Sequence, residues 1–271
     1  MTGRRFRLVA DDYGLSPGVS EGIRQLLDRG RLSGTGCMTL FPEWAESARA
    51  MRDLSPNAEI GLHLTLTDFG GLSGWGHLPH LKELITGVSR GAITADKVFP
   101  ELDAQLDRFT AEFGRLPAYL DGHQHVHFLA PVRQWIIARF AHLPDAEKPW
   151  VRGGPTRKGA PAGLWPKILF IRGLATGFDR QMRTAGLPVK GPLAGFYAWQ
   201  KPGLFAEAMT TLVRSLPDGA VVMCHPGLVD DVLRARDVLT DSRAEELEFL
   251  AGDRFAALLD RAGATLAGRA A

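Results

Sequence analysis

Arg5-Phe6-Arg7-Leu8-Val9-Ala10-Asp11-Asp12-Tyr13-Gly14 opens the chain with an apolar run, Phe6–Ala10, that ends in two adjacent carboxylates and a turn glycine. Such a run reads as a buried strand, and charged groups leaving its C-terminal end sit where α/β folds place their chemistry. Comparable runs follow at Gly36–Leu40, Ile60–Leu64, Tyr119–Gly122 and Ala220–Cys224, with weaker ones around Trp150–Arg152, Leu193–Tyr197 and Thr265–Leu266. Between them, helical periodicity marks Val19–Asp28, Trp44–Arg52, Ala95–Phe113, Pro131–Ala141, Lys167–Ala185, Leu204–Arg214 and Arg243–Ala262. This alternation predicts a parallel sheet. A total of about seven strands, or eight, suits an irregular (β/α) barrel with its active site at the C-terminal ends of the strands.

Ser242, with Glu245 three residues later, predicts a capping box at the start of the last helix. Two Gly- and Pro-rich stretches, Thr65–Pro79 and Gly153–Pro166, are expected to form loops over the barrel mouth. No repeat or linker divides the chain, so residues 1–271 read as one domain.

The composition is 45% hydrophobic and 23% charged over 271 residues, which is enough to bury a substantial core. A formal charge of +2, with basic residues scattered along the sequence, lacks the footprint of a nucleic-acid binder and favours a small substrate. No apolar stretch is long enough for a membrane span, and Phe6–Ala10 is too short for a signal-peptide core. Cys37 and Cys224 each lie in an apolar run, and they read as reduced, buried thiols of a cytoplasmic protein.

Four motifs carry chemistry. Asp11 and Asp12 are neighbours on a strand and point to different sides, so one can ligate a metal while the other serves as a base. Taken alone, the pair also fits a helix cap beside a surface charge. His63, in Gly61-Leu62-His63-Leu64-Thr65, emerges near a strand end and reads as either a packed core residue or a second ligand on the same rim.

Asp121-Gly-His-Gln-His-Val-His127 is the strongest signal: three histidines spaced by two project to one face while the backbone stays extended, the alternative being a solvated histidine-rich turn. His225, in Cys224-His225-Pro226-Gly227, closes a fourth strand, and a histidine near its ordinary pKa suits protonation of a leaving amine. One carboxylate with two imidazoles makes a three-ligand site with an open position, the arrangement of a catalytic metal centre. The donor set favours a single zinc ion, with magnesium or another divalent ion as alternatives.

Together these motifs, with Arg243-x-x-Glu246-Leu247, resemble the YdjC-like carbohydrate deacetylases. The resemblance runs from the first strand nearly to the C-terminus. It implies an irregular β/α barrel, hydrolysis of an N-acetyl group on an amino sugar or sugar conjugate, metal ligands at Asp12, His63 and His123, a catalytic base at Asp11 and a general acid at His225. Tyr13 stands where that family usually has phenylalanine, which places a hydroxyl near the site. His125, His127 and Arg243 are further candidates for supporting the ligands or contacting substrate, Arg243 by orienting Asp11.

Two alternatives stand beside this reading: a phosphoesterase with two or more metals that recruits His125 and His127, and a non-catalytic carbohydrate-binding protein. His77 and His80 are expected in solvent, and Trp75, Trp165 and Trp199 either stack on sugar or anchor loops. The run from Arg152 to Lys158 is expected to be a solvated loop, or a contact for a phosphate or nucleotide-linked sugar. The stretch Lys148 to Gln200 carries none of the motifs and is where substrate specificity is expected to reside. A homodimer is left open.

Overall fold

The computed structural model describes residues 4–54, 58–199, 201 and 203–268. Nine strands form one parallel sheet among them: β1 Arg4–Tyr13, β2 Gly34–Cys37, β3 Glu59–Leu64, β4 Tyr119–Gly122, β5 Trp150–Arg152, β6 Val189–Lys190, β7 Leu193–Ala194, β8 Val221–Cys224 and β9 Ala264–Leu266. Their order is β6-β5-β4-β3-β2-β1-β8-β7, with β9 pairing β1. The curled sheet is bridged across its open side by the loop after β5. There Leu193 N–H donates to the Gly154 carbonyl at 3.0 Å, and Thr156 N–H donates to the Leu193 carbonyl at 2.8 Å.

The helices are α1 Pro17–Asp28, α2 Trp44–Met51, α3 Leu81–Ser89, α4 Ala95–Phe113, α5 Ala130–Phe140, α6 Trp165–Leu174, α7 Phe178–Thr184, α8 Phe205–Ser215, α9 Asp231–Arg236, α10 Asp241–Ala251 and α11 Asp253–Ala262. They follow from local chemistry. Ser16 caps α1 by accepting from Val19 N–H at 3.1 Å, Pro17 presets its first turn, and Val19, Ile23, Leu26 and Leu27 supply the buried face.

The expected barrel is present, with nine strands rather than about seven. The long helix expected over Lys167–Ala185 is two helices, α6 and α7, because Gly177 turns left-handed at φ 72° between them. The one expected over Arg243–Ala262 breaks at an extended Gly252. No capping box starts α10. Thr240 occupies the cap, and Glu245 instead accepts from the backbone N–H groups of Gly203 and Phe205. Helices α3 and α9 and strand β6 fall in segments that carry no such signal in the sequence, while Leu193–Tyr197 keeps only Leu193–Ala194 as strand because Gly195 turns at φ 108°.

The barrel interior is layered by the two-residue period of its strands. At the N-terminal end, Arg7 pairs with Glu59, which Lys190 also contacts. Above them Val9, Tyr119, Trp150 and Val221 form a cluster of their own, with the Tyr119 and Trp150 rings stacked at 4.4 Å. Gly61 makes room for that layer, since a Cβ there would meet the Tyr119 ring at 2.5 Å. One period further along, Asp11, His63, Asp121 and Arg152 form the polar top. The helices cover the outer face with a single large apolar core.

Candidate active site

Asp11 continues the inward period of Val9, so regular geometry would turn Asp12 out of the barrel. It does not, because the β1–β2 register shifts between Ala10 and Tyr13, and Asp12 adopts a left-handed backbone at φ 69°. That conformation costs a non-glycine residue about 1–3 kcal/mol and brings both carboxylates to the mouth. Asp12 Oδ1 lies 3.1 Å from His123 Nδ1 and 3.4 Å from His63 Nε2. Donors bound tetrahedrally at about 2.0–2.1 Å sit roughly 3.3 Å apart, and the three atoms, all within 4.8 Å of one another, form a group that could hold one divalent ion. Arg243, buried on α10, donates to Asp12 Oδ2 at 2.7 Å and to Asp237, which leaves Oδ1 to face the two imidazoles.

His63 Nδ1–H donates to Asp121 Oδ1 at 2.6 Å, turning Nε2 toward Asp12. Gly36 permits this pair, since a Cβ there would crowd both His63 and Asp121. Burial lowers the His63 pKa, but Asp121 and Asp11 outweigh it and raise the imidazole to about 10. Arg152 reaches Asp11 through two nitrogens and also pairs with Asp121. Burial would raise the Asp11 carboxyl, yet the Arg152 guanidinium holds it at about 2. Burial likewise opposes ionisation of Asp12, and Arg243 with His123 keeps it well below the ordinary range.

His225 stands at the end of β8 with Nε2 3.9 Å from Asp11 Oδ2. Its Nδ1 has no partner, its backbone N–H donates to buried Glu246, and the half-buried Trp199 ring packs against it at 4.6 Å. Burial pushes its pKa down to about 4, so the imidazole is neutral at physiological pH rather than near its titration point.

Four expectations are corrected. The segment after β4 is not extended: Gln124 and His125 are left-handed, at φ 51° and 63°, in a 3-10 turn over His123–Phe128. Only His123 of the three histidines therefore faces Asp12. The half-buried His125 packs toward Phe196 and the buried His127 against Phe128 and Phe178, and desolvation lowers His125 to about 3 and His127 well below its ordinary value.

Tyr13 turns its hydroxyl away from the mouth, donating to the Ser47 carbonyl and accepting from Arg24. Arg243 orients Asp12, not Asp11. Arg152 is fully buried rather than part of a solvated loop. Of the three tryptophans whose role the sequence leaves open, Trp199 packs against His225, while Trp75 and Trp165 carry Lys97 and Arg157 over their rings at 4.9 and 4.8 Å.

Other expectations agree with the structure. Cys37 and Cys224 are buried, unpaired thiols, and His80 is exposed. Gln200 lies outside the described residues. The roles of Arg152 and Glu246 are not legible in spacing, although both stand inside segments singled out for other reasons. A cleft of about 520 Å³ lined by Arg133 and Gln181 shares no residue with this cluster.

A parallel α/β barrel with a carboxylate–imidazole cluster and two buried guanidinium clamps at the C-terminal ends of its strands defines the class of protein. The family model described as YdjC-like protein matches residues 5–261, and the chain belongs to that family. It is 29% identical over 269 residues to a carbohydrate deacetylase of Geobacillus stearothermophilus, covering 95% of this chain and 93% of that one. It is 27% identical over 255 residues to a chitooligosaccharide deacetylase of Enterobacter sp. (strain 638), covering 89% and 88%. A crystal structure of an Enterococcus faecalis V583 protein, named as a candidate cellobiose-phosphate cleavage protein, shares the fold at a TM-score of 0.72. Its identity is 21%, covering 98% of this chain and 97% of that one.

Proposed function

We propose that this chain is a metal-dependent hydrolase that removes the N-acetyl group from an amino sugar or sugar conjugate. The observation that carries the proposal is the convergence of Asp12 Oδ1, His63 Nε2 and His123 Nδ1 at ligand spacing beside an ionised, non-ligating Asp11. The naming of relatives as carbohydrate and chitooligosaccharide deacetylases supplies the substrate class. A divalent ion, zinc by its donor set, supplies an electrophile that acidifies water and polarises the acyl carbonyl when bound.

Asp11 then accepts the water's proton as the water oxygen adds to the acyl carbon, and the C–N bond breaks when the amine departs. His225 starts each cycle neutral, so it must first receive a proton before it can donate one. The 3.9 Å gap between Asp11 Oδ2 and His225 Nε2 gives that proton a short path from base to acid and then to the departing amine. The amine leaves protonated and acetate is released.

A second donor group, Asp11, His63 and Asp121, argues for one ion rather than two. Arg152 already neutralises both of its carboxylates, and it shares His63 with the first group. The turned-away His125 and His127 weigh further against a multi-metal phosphoesterase. The unpaired thiols Cys37 and Cys224 agree with a cytoplasmic site of action.

The test is an acetate-release screen over N-acetylglucosamine oligomers, nucleotide-sugars and glycolipids, run on metal-reconstituted protein beside Asp11→Asn. Wild type should bind about one ion per chain and release acetate. Asp11→Asn should keep the ion and lose turnover by about 10²–10⁴-fold. Two ions per chain with phosphate-ester hydrolysis and no acetate release would overturn the proposal.

A further inference from the structure

Five large hydrophobic residues are strongly exposed among the described residues, and three of them, Trp165 at 40%, Leu169 at 50% and Phe170 at 55%, belong to α6. Only Ile168 and Ile171 of that helix are buried. At about 100° per residue the outward arc runs from Arg172 through Trp165, Leu169, Gly173, Pro166, Phe170 and the half-buried Leu174 to Lys167. An apolar strip is thus bordered by a cation on each side, and Arg157 lies over the Trp165 ring at 4.8 Å.

The surrounding sequence sharpens this. Between Gly153 and Gly186 the chain carries Arg157, Lys158, Lys167, Arg172, Arg180 and Arg183 against the single acidic Asp179, a net +5. The whole chain is +2, so the remainder is net −3, and it is the net positive charge that gathers here, through the scarcity of acidic residues.

We propose that α6 seats the protein peripherally on an anionic lipid surface. An apolar strip carrying an aromatic residue and bordered by cations is the pattern of a helix lying in the headgroup region, where aliphatic groups enter the acyl boundary and cations meet lipid phosphates. A second copy of the chain is a poor occupant, because a twofold contact through this strip would set its cationic edges, with Arg157, Lys167 and Arg172, against cationic edges of the partner. No helix among the described residues is long and apolar enough to cross a membrane, so the attachment is to one surface.

The helix also adjoins the candidate site. Lys167 Nζ lies 4.8 Å from the Trp199 ring centroid, and that ring also packs against His225. Docking through α6 therefore places the barrel mouth beside the headgroups. Only this consequence, that the acylated sugar is met at a lipid surface, rests on the hydrolase reading.

The test is co-sedimentation of the full chain with vesicles of equimolar phosphatidylglycerol and phosphatidylcholine, with phosphatidylcholine alone as the control. Wild type should sediment with the anionic vesicles, and salt should weaken that binding. Leu169→Ser with Phe170→Ser should weaken it by about tenfold or more while leaving the melting temperature and acetate release from a soluble oligomer unchanged. Absence of binding to anionic vesicles, or binding indifferent to the double substitution, would overturn the proposal. So would a concentration-dependent dimer that the double substitution dissolves, since a second copy would then be the occupant. Sedimentation requires no turnover, so an inactive protein that still binds vesicles would count against the hydrolase reading alone.

Discussion

Arg152 Nη1 and Nη2 hold the two carboxylate oxygens of Asp11, at 2.8 and 2.5 Å, across the barrel from β5 to β1. The same guanidinium pairs with Asp121, which orients His63. One cation thus holds the proposed base and the support of a proposed ligand in a common frame.

Arg152→Met should accordingly leave two buried carboxylates uncompensated, at a cost of about 3–5 kcal/mol of stability. Urea unfolding followed by circular dichroism measures it. Turnover should fall by about a hundredfold as Asp11 loses its position. The Asp11 pKa is depressed from 3.8 to about 2, so the stability it contributes is present above 3.8 and is lost as pH falls through 2. In the variant the acid limb of kcat/KM should move to higher pH, a displacement that a purely structural defect would not produce.

Asp121→Asn tests the support of His63 separately. The carboxylate holds Nδ1–H at 2.6 Å and so directs Nε2 toward Asp12, the proposed ligand position. Competition with a chromogenic chelator should give about 10–100-fold weaker metal binding, with the fold intact by circular dichroism. Unchanged affinity would remove Asp121 from this role.

Metal binding should release a proton. His63 is held protonated to about pH 10 by Asp121 and Asp11 against the opposing effect of burial, and Nε2 must lose its proton to ligate. Affinity should therefore rise by about tenfold per pH unit between about pH 6 and 8, with about one proton released per ion. Calorimetry in buffers of different ionisation enthalpy gives that number, and zero release would contradict a protonated His63.

Glu246 gives stability the opposite pH sense. Burial raises it from 4.5 to about 7, partly offset by the Tyr197 hydroxyl and the His225 N–H. Its contribution is present below 4.5 and is lost as pH rises through 7. Glu246→Gln should lack that decline, so the difference in urea midpoint between pH 5 and pH 8 should be smaller than in wild type. An equal difference in both proteins would show that Glu246 does not titrate in this range.

The barrel was readable from its strands because burial leaves a local mark. Tyr119–Gly122 and Trp150–Arg152 stand as expected, and Ala95–Phe113 forms the expected helix to the residue. Short apolar runs separated by amphipathic segments need no long-range information to be seen. Strand β6, two residues long, is defined by pairing with β5 and carries no periodicity of its own. The gap between α6 and α7 comes from a left-handed glycine that apolar spacing does not report.

Asp11, Asp12, His63, His123 and His225 were all visible as polar residues at the ends of apolar strands, since the sequence records which chemical groups lie where strands stop. Which of them face one another depends on backbone conformation and on partners far along the chain. The φ of 69° at Asp12 turns two neighbouring carboxylates to one mouth. Two left-handed residues, Gln124 and His125, divide three evenly spaced histidines into one facing Asp12 and two packed among aromatic rings. Arg152 is 141 positions from Asp11 and Arg243 is 231 from Asp12, separations at which pairing is set by barrel closure and by the cost of burying an unpaired charge, neither of which is local.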